Sequence, residues 1–223
     1  MGFGLTVISS SASAQSYVGI SVTRSSVTLN GDVPPNGVFI SRPSSAFRVR
    51  GGLEVADGVH LVAYPGVARR NSGGEFRAAG GATAFSDLAI TYVTLPLGLR
   101  VESSNNRIYV TSLVDFGYLV DASLSTVNVS PFSEEPVPPV EEDVLGNLNP
   151  WDVTMELAVG VRVPVGRQTI SIEVGWGQSL VNVTKRGFLP VDWSLPQRFK
   201  FSGFGLSAGV EFPLGGPRED GDA

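Results

Sequence analysis

Between Asp152 and Val163 the chain sorts itself by parity. Val153, Met155, Leu157, Val159, Val161 and Val163 form an apolar register, and Asp152, Thr154, Glu156, Ala158, Gly160 and Arg162 form one that is polar, small or charged. Strict period-two alternation belongs to a strand whose two faces meet two different solvents. The alternation persists for about ten residues, the length a tilted strand needs to cross a bilayer. A soluble sandwich shows such alternation over shorter stretches and seldom repeats it in strand after strand.

Here it repeats. The first alternating segment runs from Tyr17 to Thr23, and turn chemistry follows at Gly31-Asp32, Pro34-Pro35 and Asn36-Gly37. The second, from Ala46 to Ala56, sets Phe47, Val49, Leu53 and Val55 against Arg48, Arg50 and Glu54, and Asp57-Gly58 predicts a type I′ hairpin. The third, from Val59 to Arg69, has a muddled pattern and contains Pro65; a Gly- and Ala-rich loop is expected from Arg70 to Asp87. The fourth, from Leu88 to Glu102, opposes Val93, Leu95, Leu97, Leu99 and Val101 to Thr94, Gly98, Arg100 and Glu102. After Ser103-Ser104-Asn105-Asn106, the fifth runs from Ile108 to Ala122 with Val110, Val114, Phe116, Tyr118 and Val120 opposite Thr111, Asp115, Gly117 and Asp121. An acidic, Pro-rich loop then reaches Pro150. The sixth and seventh meet at Gly166-Arg167, and the last ends at Leu214.

The connections alternate long and short, and the count is about eight strands, an even number with tight turns at one end, the layout of an outer-membrane barrel. The fold expected is therefore all-β: a single eight-stranded antiparallel up-and-down transmembrane β-barrel over residues 15–214. Both termini fall at the periplasmic end. Residues 1–14 read as an export signal lacking its basic front, with Ala12-Ser13-Ala14 as the cleavage site. Residues 215–223 read as a polar tail.

Composition fits these bounds. At 223 residues one barrel accounts for the chain. There is no cysteine, so no disulfide, thiolate metal site or cysteine nucleophile is available. A net charge of −5 argues against a nucleic-acid surface.

The polar register gathers Arg48, Arg50, Glu54, Arg100, Asp115, Glu156, Arg162, Glu173 and Glu211 at positions within strands. An arginine facing lipid at the midplane costs about 2–4 kcal/mol, so these charges are expected inside, paired with one another. An eight-stranded barrel is just wide enough for side chains to fill it. A soluble lipocalin-like barrel would invert the faces, and parity alone does not separate the two. Loop alternation and strand length favour the membrane. Tyr92, Tyr118, Trp151 and Phe199, at strand ends beside long loops, are expected at one membrane interface and Phe212 at the other.

The run Tyr92-Val93-Thr94-Leu95-Pro96-Leu97 resembles a strand of the small porin-family or PorT-type outer-membrane barrels of Bacteroidota-like bacteria. Asp115-Phe116-Gly117-Tyr118 and the segment Glu173 to Asn182 resemble two further strands of that family. The resemblance implies an integral outer-membrane protein without a defined activity. Ser207, Gly209, Phe212 and Leu214 resemble the C-terminal signal read by the barrel assembly machinery, which would make that machinery and outer-membrane lipid the partners.

No catalytic set is assembled. His60, the sole histidine, follows the Asp57-Gly58 turn and reads as a polar rim residue. Glu134, Glu135, Glu141, Glu142 and Asp143 match no calcium-loop spacing and read as a solvated acidic loop. No cofactor or metal is expected. The reading is a monomeric, closed barrel with a structural or surface-interaction role and an unspecified surface ligand; a narrow solute channel and, third, a lipid-modifying enzyme are the alternatives.

Overall fold

A computed structural model describes residues 16–32, 36–77, 81–129, 138–185 and 198–214. The expected export signal, the expected tail, and Glu134, Glu135, Pro34 and Pro35 lie outside the described residues.

The strands are β1 (Tyr17–Gly31), β2 (Gly37–Ala56), β3 (Val59–Ala63), β4 (Gly66–Arg77), β5 (Thr83–Glu102), β6 (Ile108–Val129), β7 (Val140–Asp143), β8 (Trp151–Val165), β9 (Gln168–Ser179) and β10 (Phe199–Pro213). All pairings are antiparallel, and β10 returns to pair with β1, so the sheet closes on itself. β3 and β4 occupy one position in the ring, both lying between β2 and β5. They are a single strand interrupted at Tyr64-Pro65, because proline has no N–H to give the ladder. The ring is eight-membered, with β7 as a short addition above β8, paired to Ser123–Thr126 of β6.

Three tight turns sit at one end of the ring, each using a left-handed residue: Gly58 at φ 67°, Asn106 at φ 53° and Gly166 at φ 63°. At the first, only Gly58 has positive φ and the β2–β3 register slips between Glu54 and Ala56. The turn is therefore a bulged one; type I′ would need positive φ at both central residues.

Several strands are about twice the length a bilayer crossing requires, with 20 residues in β5 and 22 in β6. The expected loop over Arg70 to Asp87 is mostly strand, and so is the start of the acidic segment, where β6 runs on to Val129. Hydrogen bonding continues past the point where the outward residues cease to be apolar. The third segment's parity is intact: His60, Val62, Tyr64, Ala68 and Arg70 are buried, whereas Leu61, Val67 and Arg69 are exposed. It looked muddled only because Val62 points inward and Pro65 outward.

The inner face divides by height. Near the tight turns it is polar and charged. Above, an apolar cluster of Val27, Leu29, Phe76, Leu88, Ile90, Leu119, Leu124, Phe199 and Phe201 fills the barrel. Val144, Leu148 and Val183 join it from the long connections, which are stitched together by Asn149 N–H donating to the Val183 carbonyl (2.8 Å) and Lys185 N–H to the Asn147 carbonyl (2.9 Å).

Candidate functional site: a charge network sealed in the barrel

The outer face of the lower half is an aliphatic belt. Row by row across the pairing, Val22, Phe47, Val67, Val93, Tyr118 and Trp151 are cross-strand neighbours and all point outward, with Trp151 62% exposed. Tyr118 and Trp151 pack edge-to-face with centroids 4.9 Å apart. Tyr92 and Phe199, expected beside them at the interface, are instead fully buried inside the barrel. Both fall on the inward parity of their strands, and a position near a strand end does not override which way the pleat points.

Inside the belt lie two clusters of charge. The one nearer the tight turns is built around Glu211, which is 1% exposed. Its Oε1 accepts from Arg100 Nη1 at 2.9 Å and Arg50 Nη1 at 3.3 Å, and its Oε2 lies 3.2 Å from Arg162 Nη2. Arg162 also donates to both oxygens of Glu102 at 2.8 and 2.7 Å. Arg50 pairs with Glu173 and donates to Ser171 Oγ at 3.0 Å. Tyrosines complete the packing. The Tyr109 hydroxyl donates to Glu173 at 2.7 Å and its ring lies under the Arg100 guanidinium at 3.7 Å, while Tyr17 accepts from Arg100 at 2.8 Å. Stacking on rings and forked donation to carboxylates are the two modes that suit guanidinium in a dry interior.

Glycine makes the tyrosines possible. Tyr17 is the cross-strand partner of Gly52, and Tyr109 that of Gly160. A Cβ on Gly52 would come within 2.1 Å of the Tyr17 ring, and one on Gly160 within 2.3 Å of the Tyr109 ring. Each ring lies flat over a bare backbone.

The second cluster sits higher. Arg48 binds Glu156 through two bonds of 2.8 and 2.6 Å, and Asp115 lies 3.5 Å from Arg48 and 3.6 Å from Arg70. Arg70 pairs with Asp152, which also accepts from Thr154 Oγ1 at 2.7 Å. A cavity of about 130 Å³ lies beside these groups, lined by Arg48, Glu156 and Ser207 and reaching Val27 and Phe201 of the apolar cluster above.

Of the charges picked out by parity, Arg48, Arg50, Arg100, Asp115, Glu156, Arg162, Glu173 and Glu211 are brought together in these ion pairs. Glu54 lies near the turn as the cross-strand partner of His60, and it accepts from Gly58 N–H at 3.4 Å. Arg70, Asp152 and the tyrosines were not singled out. Asp152 lay in the polar register; Arg70 fell in the stretch read as loop. Across both clusters five arginines meet six carboxylates, with His60 Nε2 3.5 Å from Glu102 as a further partner. His60 is buried against the edge of Tyr17, so it is not a rim residue: even parity on β3 turns it inward. Charge alternates in sign through the network, without the single-sign ring an ion-selective filter uses.

In the last strand Ser207 and Gly209 point inward, with Ser207 Oγ donating to the Val22 carbonyl at 3.3 Å; Phe212 and Leu214 point outward at the foot of the belt. Glu141, Glu142 and Asp143 are exposed on β7. Among the described residues no group of three or more His, Cys, Asp or Glu is placed to hold a metal ion.

A closed, eight-membered antiparallel ring with an aliphatic exterior and a charge-paired interior is a transmembrane β-barrel of the outer-membrane type. No protein-family model matches the chain, and no curated protein does. Among solved structures it is similar to the outer membrane protein AlkL in lipid bilayers (14% identity, 97% of this chain and 98% of that one, TM-score 0.44). It is also similar to Ail, the attachment invasion locus protein of Yersinia pestis (12%, 89% and 99%, 0.40), and to Neisserial surface protein A (11%, 88% and 96%, 0.38).

Proposed function

We propose that this protein is a monomeric integral barrel of the bacterial outer membrane, with a closed interior and a structural or surface-interaction role. The observation that carries this reading is the stacking of three seals along one axis: the Glu211 cluster, the Arg48–Asp115–Arg70 cluster and the apolar cluster above them. Solute passage would have to break buried ion pairs and part a packed apolar layer. Outer-membrane lipid is the partner of the aliphatic belt. Ser207, Gly209 and Phe212, on the strand that closes the ring against β1, and Leu214 directly after it serve as the assembly signal. The finer family reading, a porin-family barrel of the PorT type, rests on the Tyr92 to Leu97 run. In planar bilayers the purified barrel should show no steady single-channel events, and regular conductance steps would overturn the closed reading.

One observation favours a narrow solute channel as the second reading. The cavity of about 130 Å³ has room for a few waters beside the upper cluster, so rearrangement of Arg48 and Glu156 would open a path part of the way. If that is the function, conductance should appear on replacing Glu156 and Asp115 by alanine and should vary in size with the residue introduced.

A further inference from the structure

Directly above the row formed by Val22, Phe47, Val67 and Val93, the outward side chains change character within one step of the pleat. The next row across the same strands is Arg24, Ser45, Arg69, Thr91 and Asp121. Arg24 and Arg69 are exposed, and among the described residues neither guanidinium makes an ion pair or a side-chain hydrogen bond. Arg42, higher on β2, differs in being held by Asp87 at 2.6 Å. Arg24 has Leu206 as its other cross-strand neighbour, and Phe204, 68% exposed, lies one step up opposite Ser26. The two arginines are thus set at the upper edge of the aliphatic belt, apolar surface beneath and beside them.

We infer that Arg24 and Arg69 form a binding site for the phosphate of a lipid headgroup in the leaflet at the long-loop end. The inference rests on the membrane reading above. Two strand spacings separate the pair, about 10 Å between backbones, which two arginine side chains converging over Ser45 can close. Guanidinium presents a planar fork of donors that matches phosphate oxygens, and it needs such a partner where water thins out at the acyl boundary. The Ser45 hydroxyl between them and Thr91 beside Arg69 offer further donors. Asp121, two strands beyond Arg69, bounds the site on that side. The belt below would hold the acyl chains of the same lipid, so one molecule meets both surfaces. A free phosphate ion would gain only the upper half of these contacts.

The test is lipid retention by the full barrel, exchanged from mixed micelles of phosphatidylglycerol and phosphatidylcholine and read by native mass spectrometry. The wild type should keep phosphatidylglycerol over phosphatidylcholine, by up to about thirtyfold at low salt for two basic contacts and by less as salt is added. The double variant R24Q/R69Q should lose that preference while R24K/R69K keeps part of it. Equal preference in wild type and R24Q/R69Q would overturn the inference, as would competition by inorganic phosphate that strips the lipid. A barrel that fails to enter micelles or bilayers at all would fail the membrane reading instead, and heat-modifiable migration of each variant on gels separates the two outcomes.

Discussion

On β5, Leu95, Leu97 and Leu99 face outward while Thr94 and Arg100 face inward; higher on the same strand Leu88 and Ile90 face inward while Asp87 faces outward. The parity of β5 is unbroken along its length. What reverses is the chemistry assigned to each face. In the lower half the outside is apolar and the inside charged, and in the upper half the inside is mostly apolar and the outside mixed, with Ser26 and Asp87 beside Phe85 and Phe204. One ring of strands therefore carries two hydrophobic surfaces, one turned to lipid and one to its own interior. The difference teaches that the medium outside decides which face must be apolar, because a buried interior can be satisfied either by packing or by paired charge.

The inward charges differ from the inward apolar residues in how they fail. Truncating one member of a buried ion pair strands its partners. Glu211→Ala leaves Arg50, Arg100 and Arg162 facing one another, and it should lower the unfolding free energy by about 3–5 kcal/mol in denaturant titrations of the micelle-folded barrel. The sharpest contrast between the halves comes from one substitution made twice on the outer face. Leu97→Arg, on the belt, should cost about 2–4 kcal/mol in a bilayer, whereas Ser26→Arg, outward in the upper half opposite the exposed Phe204, should stay within about 0.5 kcal/mol. Equal costs at the two sites would erase the distinction. Gly160→Ala pushes a methyl group into the Tyr109 ring and should cost about 1–3 kcal/mol, with the Tyr109–Glu173 bond lost. Gly146→Ala, where a Cβ would meet nothing within 4 Å, should be close to neutral.

The lower half was readable from sequence and the upper half was not, for one physical reason. Parity is visible when one face is uniformly apolar, as at Val153 to Val163, and the strand positions and inward charges follow from it. Above the belt water replaces lipid, so the outward positions hold Ser26, Asn30 and Asp87 while the inward ones mix Ser72, Phe76 and Leu88. No uniform face remains, and the upper part of β4 from Arg70 and the start of β5 read as loop. The bulge in β6 adds to this: Thr91 pairs with Asp121 but Tyr92 with Leu119, so Val120 is extra and the inward set shifts from odd to even numbers at Ala122. Tyr17, Tyr64 and Tyr109 were missed because a tyrosine carries no charge to mark the polar register, although Gly52 and Gly160 opposite two of them were a usable sign.

The most direct test of the two-medium barrel uses the absence of cysteine, which lets single nitroxide labels be placed without background. Labels at Met155, Leu157, Val159 and Val161, and separately at Ser26 and at Lys200, exposed opposite Asn30, are compared in bilayers for collision with oxygen, which partitions into lipid, and with a water-soluble nickel chelate. Collisions at 155, 157, 159 and 161 should favour oxygen, and those at 26 and 200 should favour nickel. Nickel-dominated collisions at Leu157 and its outward neighbours would contradict the account, because the aliphatic face would then be in water.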